Sequence, residues 1–509
     1  MDKHETTVKK LSERVARFHA DSIPFRIYHG NTNSTRVSNK TSANSLDVSS
    51  LNHLLSIDPT TNTCVCEPNV PMDALLSETI KHQLMPPVVP EFPGITVGGA
   101  FAGTAGESSC FKYGFFDRIV ISFEMILADG TVVDADSESD ADLFHGASGT
   151  FGTLGVLTLL HLKLIPCQKF VELSYIPVTS ISDAVTTIAA AMSSDRSNTV
   201  PIDFLDGIMF SPTHGCITVG RFSSGPTAKA PSSLPDVATF HNASDQWFYL
   251  HAEQQSLPST HSKDSPHKDL VPLESYIFRF DRGAFWTGKY AYSYFITPFN
   301  KITRFLLDPF MHTRIMYHAL HRSGMAEDFI IQDMAVPASR MVQFSDWLDS
   351  DEGLCKDIYP RWLCPLKAGE HVSMNPHFSN VASAAEREGA GQEDFLLNIG
   401  LWGPFPSSTT ALSINRRIET KLSSLKGMKW LYAQTFYTED EFWDIYDRKW
   451  YEELRKKYGA EGLPNVYQKV GPKAGALEEK QGWSVWDVWP LKGLYGVASA
   501  VKGGDYLRR

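Results

Sequence analysis

Val8, Leu11, Val15 and Phe18 recur at helical spacing, so the chain opens on a predicted amphipathic helix. Short strand-like runs follow at Phe25–Tyr28 and Thr63–Glu67. In the second, Cys64 and Cys66 stand two apart and so share a face. Pro71 opens a predicted helix reaching Gln83, because the missing N–H costs nothing in a first turn. The best strand pattern is Arg118–Ala128, closed by the hairpin dipeptide Asp129-Gly130. Leu154–Ile165 reads as a long buried strand, and Pro166 marks a boundary. Beyond it, polar or small-residue stretches at 223–235, 254–268 and 379–393 predict surface excursions. Aromatic-rich helical segments such as Glu439–Tyr458 alternate with short strands such as Phe395–Leu401 near the end, and no internal repeat is present. The pattern is that of an α+β protein.

Composition narrows the classes. The chain has 509 residues, enough for two to four domains, with 42% hydrophobic and 21% charged residues, which excludes wholesale disorder. A net charge of −11 lacks the cationic footprint that phosphate neutralisation requires, so nucleic acid is not an expected partner. The seven cysteines include no CxxC pair, and no metal site is expected. Their odd number and a charged opening segment without an apolar core predict reduced thiols and an intracellular protein. The longest apolar tract, Leu154–Ile165, is interrupted by His161 and Lys163 and is too short for a bilayer, which takes roughly 20 apolar residues.

Two glycine-rich stretches carry the candidate chemistry. The first, His29-Gly30-Asn31-Thr32-Asn33-Ser34, follows a strand and can aim backbone N–H groups and hydroxyls at an anion. The second spans Thr96, Gly98, Gly99, Gly103, Thr104, Gly106, Glu107, Ser108 and Ser109, with Tyr113-Gly114 after it. Each read alone is also compatible with a tight turn. Neither fits GxGxxG between a strand and an acidic residue, so a Rossmann site is excluded, and there is no Walker motif.

In order, the two stretches together with Val89–Gly99, Leu127-Ala128-Asp129-Gly130 and Gly149–Val156 resemble the flavin-binding domain of the vanillyl-alcohol-oxidase superfamily. In the second half, Tyr276–Trp286, Gln332-Asp333-Met334, Tyr359–Pro365 and Pro464–Tyr467 resemble the Δ24-sterol reductase (Diminuto) family. The resemblance runs from about residue 10 to 470. It implies a PCMH-type FAD-binding domain of two α+β subdomains over 1–166. An α+β cap or substrate domain follows over 167–470, with a C-terminal return to the flavin, and 471–509 is an extension. It also implies FAD held by the two glycine-rich stretches and by Gly152, Gly155 and Val156. NADPH is the implied electron donor and a sterol or related triterpenoid the substrate. The implied setting is the cytoplasm or the periphery of the endoplasmic reticulum membrane, with peripheral membrane contact and a homodimer as expected associations. Phe111 and the His29-Gly30 pair depart from relatives that carry His and Arg-Pro at those places. Asn33 stands where covalent members usually attach FAD through histidine, so the flavin is expected to be non-covalent.

An isolated trisubstituted alkene has no carbonyl to accept charge. Its reduction must pair hydride delivery with protonation, through a transition state of cationic character. That calls for a buried acid and an electron-rich wall, aromatic faces being worth about 2 kcal/mol each to a desolvated cation. Wall candidates are Phe285, Trp286, Tyr432, Phe436 and Tyr437; acid candidates are Asp333, Glu107, Tyr276 and Tyr437. Arg279 and Arg282 either position the acid, hold a phosphate, or pair with Asp281. The catalytic set expected is therefore Arg279, Trp286, Asp333 and Tyr437. Two rivals remain: a flavin-dependent oxidase or dehydrogenase of an alcohol or other secondary metabolite, and a binding protein without turnover.

The extension places Trp483, Trp486 and Trp489 at spacing three ahead of Leu491, Leu494 and Tyr495, with a net charge of +2. It reads either as a weak membrane anchor or as a segment packed back on the cap or on a partner subunit. Pro490 and its glycines argue against a long amphipathic helix.

Overall fold

The computed structural model describes residues 2–29, 41, 43–197, 201–225, 236–257, 261–323, 329–367, 373–376, 395–406, 409–472 and 489–503. Helix α1, Asp2–Ala20, buries Val8, Leu11, Val15 and Phe18 as its periodicity predicts, and His4 with them. His4 lies 2.8 Å from Glu67 and 3.3 Å from Glu124, and Glu124 also accepts a hydrogen bond from Thr158 at 2.5 Å. Glu124 thus takes part in packing α1 on the sheet.

The N-terminal sheet has five antiparallel strands: β1 (Leu54–Asp58), β2 (Thr63–Cys66), β3 (Val120–Leu127), β4 (Val132–Asp136) and β5 (Gly155–Lys163), in the order β1-β2-β5-β3-β4. Cys64 and Cys66 are both buried, on one face. The hairpin glycine, Gly130, has φ +96°, and a Cβ there would meet Ala16 Cβ and Ser12 O of α1 at 2.9 Å. The turn thus needs glycine both for its conformation and for the closeness of α1. The helix expected over 71–83 stops at Thr79 and finishes as a 3₁₀ turn, Ile80–His82.

The second sheet has nine strands: β6 (Phe170–Val178), β7 (Phe204–Ser211), β8 (His214–Ser223), β9 (Asp236–Val237), β10 (His267–Pro272), β11 (Phe329–Pro337), β12 (Arg361–Leu366), β13 (Leu396–Pro404) and β14 (Met428–Lys429). Their order is β9-β10-β6-β8-β7-β12-β13-β11-β14, antiparallel except for β9 with β10. Side chains alternate across it with the strand period of two. Ile330, Met334, Leu363, Leu397, Ile399 and Leu401 face the helices Ile181–Arg196, Met341–Asp349 and Ala411–Ser424. Ile331, Asp333, Trp362, Cys364, Asn398 and Trp402 face the other way and floor a cavity.

The two sheets are joined beside the glycine run. Leu205 N donates to Ser108 O at 2.7 Å, Lys367 N to Cys110 O at 2.9 Å and Trp430 Nε1 to Thr104 O at 2.9 Å. Arg279, fully buried, donates to Asp206 on β7 at 2.8 Å, and Asp206 accepts from Trp362 Nε1 on β12 at 3.0 Å. The guanidinium also stacks on Tyr276, 4.2 Å from the ring centre. Arg282 pairs with Asp308 at 2.7 Å, and Asp281 instead holds His312 and Thr313. The Asp281 ion pair weighed for these arginines does not form.

Two further expectations change. Glu439–Tyr458 is two helices, Glu439–Ile445 and Arg448–Lys457, because Asp447 caps the second through Trp450 N. The extension forms a helix, Leu491–Gly503, despite its glycines; Gly493 and Gly496 are where Tyr294, Phe295 and Ala319 approach it too closely for a side chain. The excursions at 226–235, 258–260 and 377–394 lie outside the described residues, as do Trp483 and Trp486.

Arg279→Met leaves the Asp206 carboxylate buried without its partner, a loss of about 3–5 kcal/mol. Thermal unfolding should show a lower Tm, and adding Asp206→Asn should recover part of it. Unchanged unfolding of the single variant contradicts the pairing.

Candidate active site

The glycine run folds into a short helix, α2 (Val97–Gly103), capped by Thr96, whose hydroxyl accepts from Gly99 N at 3.2 Å. Thr104 ends it in the left-handed region at φ +50°. Thr96, Gly98, Gly99, Gly103 and Gly106 line a cavity of about 1430 Å³, as do His29, Gly152, Gly155 and Val156. A Cβ on Gly103 would find only Phe151, at 3.8 Å, so a side chain there would project into the cavity. Gly152, at φ +73°, is packed against Ile27, which would meet a Cβ at 2.6 Å.

Thr104, Glu107, Ser108, Ser109, Tyr113 and Gly114 stand outside the lining. Glu107 accepts from Ser108 at 2.8 Å and from Ser109, and Ser109 also donates to Pro87 O at 2.7 Å. Burial pushes the Glu107 carboxyl up to about 7 against those hydrogen bonds. These side chains brace the run from behind. Gly30, Asn31, Thr32, Asn33 and Ser34 lie outside the described residues.

The same cavity continues over the second sheet. Phe285, Trp362 and Trp402 form an aromatic wall, with Phe285 centred 4.4 Å from Trp402 and 5.4 Å from Trp362. Phe285 holds φ +62°, an uncommon conformation for a bulky side chain, fixed by stacking on Phe280 at 3.9 Å. Asp333 projects from β11 into this end, where Gly400 lies opposite on β13 and a Cβ would come 3.0 Å from Asp333 Oδ1. Its carboxyl accepts from Asn398 at 3.0 Å and from the Tyr432 hydroxyl at 2.5 Å. Burial outweighs these bonds and raises its pKa to about 6.

Of the four residues expected to be catalytic, Asp333 lines the cavity and Arg279, Trp286 and Tyr437 stand behind it. Trp286 donates to Trp402 O at 3.3 Å and so supports the wall from below. Arg279 reaches the wall through Asp206 and Trp362. Tyr437 is buried beside Lys429, with Phe436 on the cavity side. Of the other acid candidates, Tyr276 donates or accepts within the brace, 3.2 Å from Ser108 Oγ.

Trp402, Tyr317 and Glu91 are among the lining residues that the sequence did not single out. Trp402 and Tyr317 carry no motif signal. Glu91 sits between Pro90 and Pro93 in the quoted run, an acid among apolar neighbours, and that was its signal. It is buried, its Oε1 has no hydrogen-bond partner, and desolvation together with Glu107 pushes it well above the usual carboxylate range.

The cavity exceeds the roughly 300–1,000 Å³ of a single small-ligand site. Its glycine-lined end and the apolar walls of Ile27, Met125, Leu154 and Val156 fit an extended FAD.

Comparison with known proteins bears on both ends. The FAD binding domain family matches residues 5–136. A Delta(24)-sterol reductase from Pisum sativum is 29% identical over 466 residues, which is 86% of this chain and 77% of that protein. The one from Homo sapiens is 28% identical over 82% of this chain and 76% of its own length. A Delta(24)-sterol reductase homolog from Caenorhabditis elegans is 26% identical, over 85% and 79%. A D-lactate dehydrogenase from Archaeoglobus fulgidus is 30% identical over 26% of this chain. The chain is therefore similar to Delta(24)-sterol reductases over most of its length and carries an FAD binding domain.

Proposed function

We propose that this protein is an FAD-dependent oxidoreductase that reduces the Δ24 side-chain double bond of a sterol or related triterpenoid with NADPH as electron donor. One observation carries the reading: the glycine run and the aromatic, acid-bearing face of the second sheet line a single continuous cavity. On this reading residues 1–166 hold the flavin and 167–470 the substrate. The chain returns to the flavin side through Thr153, whose hydroxyl meets Tyr451 at 2.7 Å, and through Lys469, which donates to Phe151 O.

FAD held along α2 and Gly152–Val156 supplies the two-electron chemistry. The residues of the chain do the rest. Phe285, Trp362 and Trp402 exclude water and present π faces to a carbon becoming positive. Asp333 in its protonated form holds the proton for the other alkene carbon, with the Tyr432 hydroxyl beside its carboxyl, a role worth about 10²–10⁴-fold in rate. Asn398 fixes the carboxyl plane. Arg279 and Trp286 are positioning residues that act through Trp362 and Trp402. Cys110 is buried outside the lining, its thiol raised by desolvation, so no reactive thiol is offered to the flavin there.

Product analysis tests the function. With NADPH, desmosterol should gain two mass units as its side chain saturates. Alcohol-dependent oxygen consumption without saturation would install the oxidase reading. Acid precipitation should release all the yellow colour into the supernatant, and a yellow pellet contradicts non-covalent FAD.

Asp333→Asn should retain FAD and slow saturation roughly 10²-fold or more. Glu91→Gln should stay within tenfold of the parent. The opposite pattern moves the proton to Glu91. Because Asp333 must be protonated to donate, the rate should be highest below pH about 6 and fall as pH rises through that value, and Asp333→Asn should lose this limb.

A further inference from the structure

Large apolar side chains are exposed in two places that the fold brings together. Ile296 and, on helix α3 (Lys301–Leu307), Ile302, Phe305 and Leu306 are 53–76% exposed. Trp489 and, on helix α5 (Leu491–Gly503), Leu491, Leu494 and Tyr495 are 42–52% exposed. Trp489 Nε1 donates to Tyr294 O at 2.6 Å, and Gly493 N to the Tyr294 hydroxyl at 3.3 Å. Two residues earlier, Tyr292 donates to Thr303 O of α3 at 3.3 Å. One short segment, Tyr292–Ile296, therefore carries both helices.

That segment is also a wall of the cavity. Tyr294, Phe295, Gly493 and Val497 line it, with Ala319 and Leu320 of helix α4 (Thr313–Ser323). The exposed apolar patch thus rims one end of the same space that Asp333 and Phe285 occupy. Its charge is opposite in sign to that of the whole protein. Helices α3 and α5 hold Lys301, Arg304, Lys492 and Lys502 and no acidic residue, on a chain of net charge −11. No helix among the described residues is long and apolar enough to cross a membrane.

We propose that Ile296, α3 and α5 form a docking surface for an anionic lipid bilayer, seated so that an apolar substrate passes from the membrane directly into the cavity. The lipid nature of the substrate rests on the proposed function; the surface itself rests on exposure and charge. Aromatic and aliphatic side chains enter the interfacial layer while the lysines meet headgroup phosphates, the arrangement of a monotopic surface. Clusters of this kind are unusual on a protein that stays in water. The extension is then both things weighed for it: glycines pack one face of α5 on the cap, and its large side chains face outward.

The test uses full-length holoprotein with phosphatidylcholine–phosphatidylserine vesicles. The parent should float with them, less so at high salt, and the triple variant Phe305→Asp, Leu306→Asp, Leu494→Asp should stay at the bottom. Saturation of cyclodextrin-delivered desmosterol should be equal in the two, while saturation of vesicle-embedded desmosterol should fall at least tenfold in the variant. Flotation of the variant overturns the proposal, as does a parent that fails to float. A parent that dimerises without vesicles, through a contact the variant abolishes, assigns the face to a second copy and also overturns it. Inactivity on cyclodextrin-delivered sterol in a parent that floats would overturn the function and leave the docking surface standing.

Discussion

A cluster built around the buried guanidinium of Arg279 joins the cavity wall to the glycine run. Arg279 neutralises Asp206 on β7, and Asp206 in turn holds the indole of Trp362 on β12, which is part of the cavity wall. Tyr276, one turn before Arg279, reaches Ser108 behind the glycine run at 3.2 Å. Removing the guanidinium would leave the Asp206 carboxylate unpaired in the interior, which is why the arrangement is costly to break. Together with the bonds from Leu205, Lys367 and Trp430 to Ser108, Cys110 and Thr104, this cluster sets the glycine run against the aromatic wall.

On that frame the strand period decides the chemistry. Because alternate residues face opposite ways, one register of β11, β12 and β13 sends Ile331, Asp333, Trp362, Cys364, Asn398 and Trp402 into the cavity and their neighbours into an aliphatic layer under helices. A one-residue slip would put Gln332 or Met334 in place of Asp333, Arg361 or Leu363 in place of Trp362, and Leu401 or Gly403 in place of Trp402. Gly400 leaves room for the Asp333 carboxyl beside Trp402, and Phe285 is held in a left-handed conformation that a loop under less packing would abandon. The lowered polarity that makes an aromatic wall useful to a cation is the same property that lifts Asp333 and Glu91 toward their neutral forms.

Much of the N-terminal part was legible in the chain because its signals are local. The period of Val8, Leu11, Val15 and Phe18, the Asp129-Gly130 turn and the ordered glycines each depend on a few adjacent residues. The nine-stranded sheet was not legible in the same way. β7 and most of β8 are buried on both faces, so they lack clean alternation, and β6 and β7 find partners far away in sequence. The roles of Arg279 and Trp286 were visible only as residue types; that they act at one remove from the cavity depends on Asp206, Trp362 and Trp402. The helix at the C-terminus ran against propensity, since Gly493 and Gly496 cost helix stability locally and are retained where Tyr294, Phe295 and Ala319 come close.

On the proposed function, one cavity brings flavin and alkene into direct contact. Anaerobic protein reduced by one equivalent of NADPH and then mixed with desmosterol tests it most directly. The oxidised-flavin absorbance should recover, with one saturated sterol formed per flavin. Flavin that stays reduced until air is admitted, with the sterol unchanged, would contradict it.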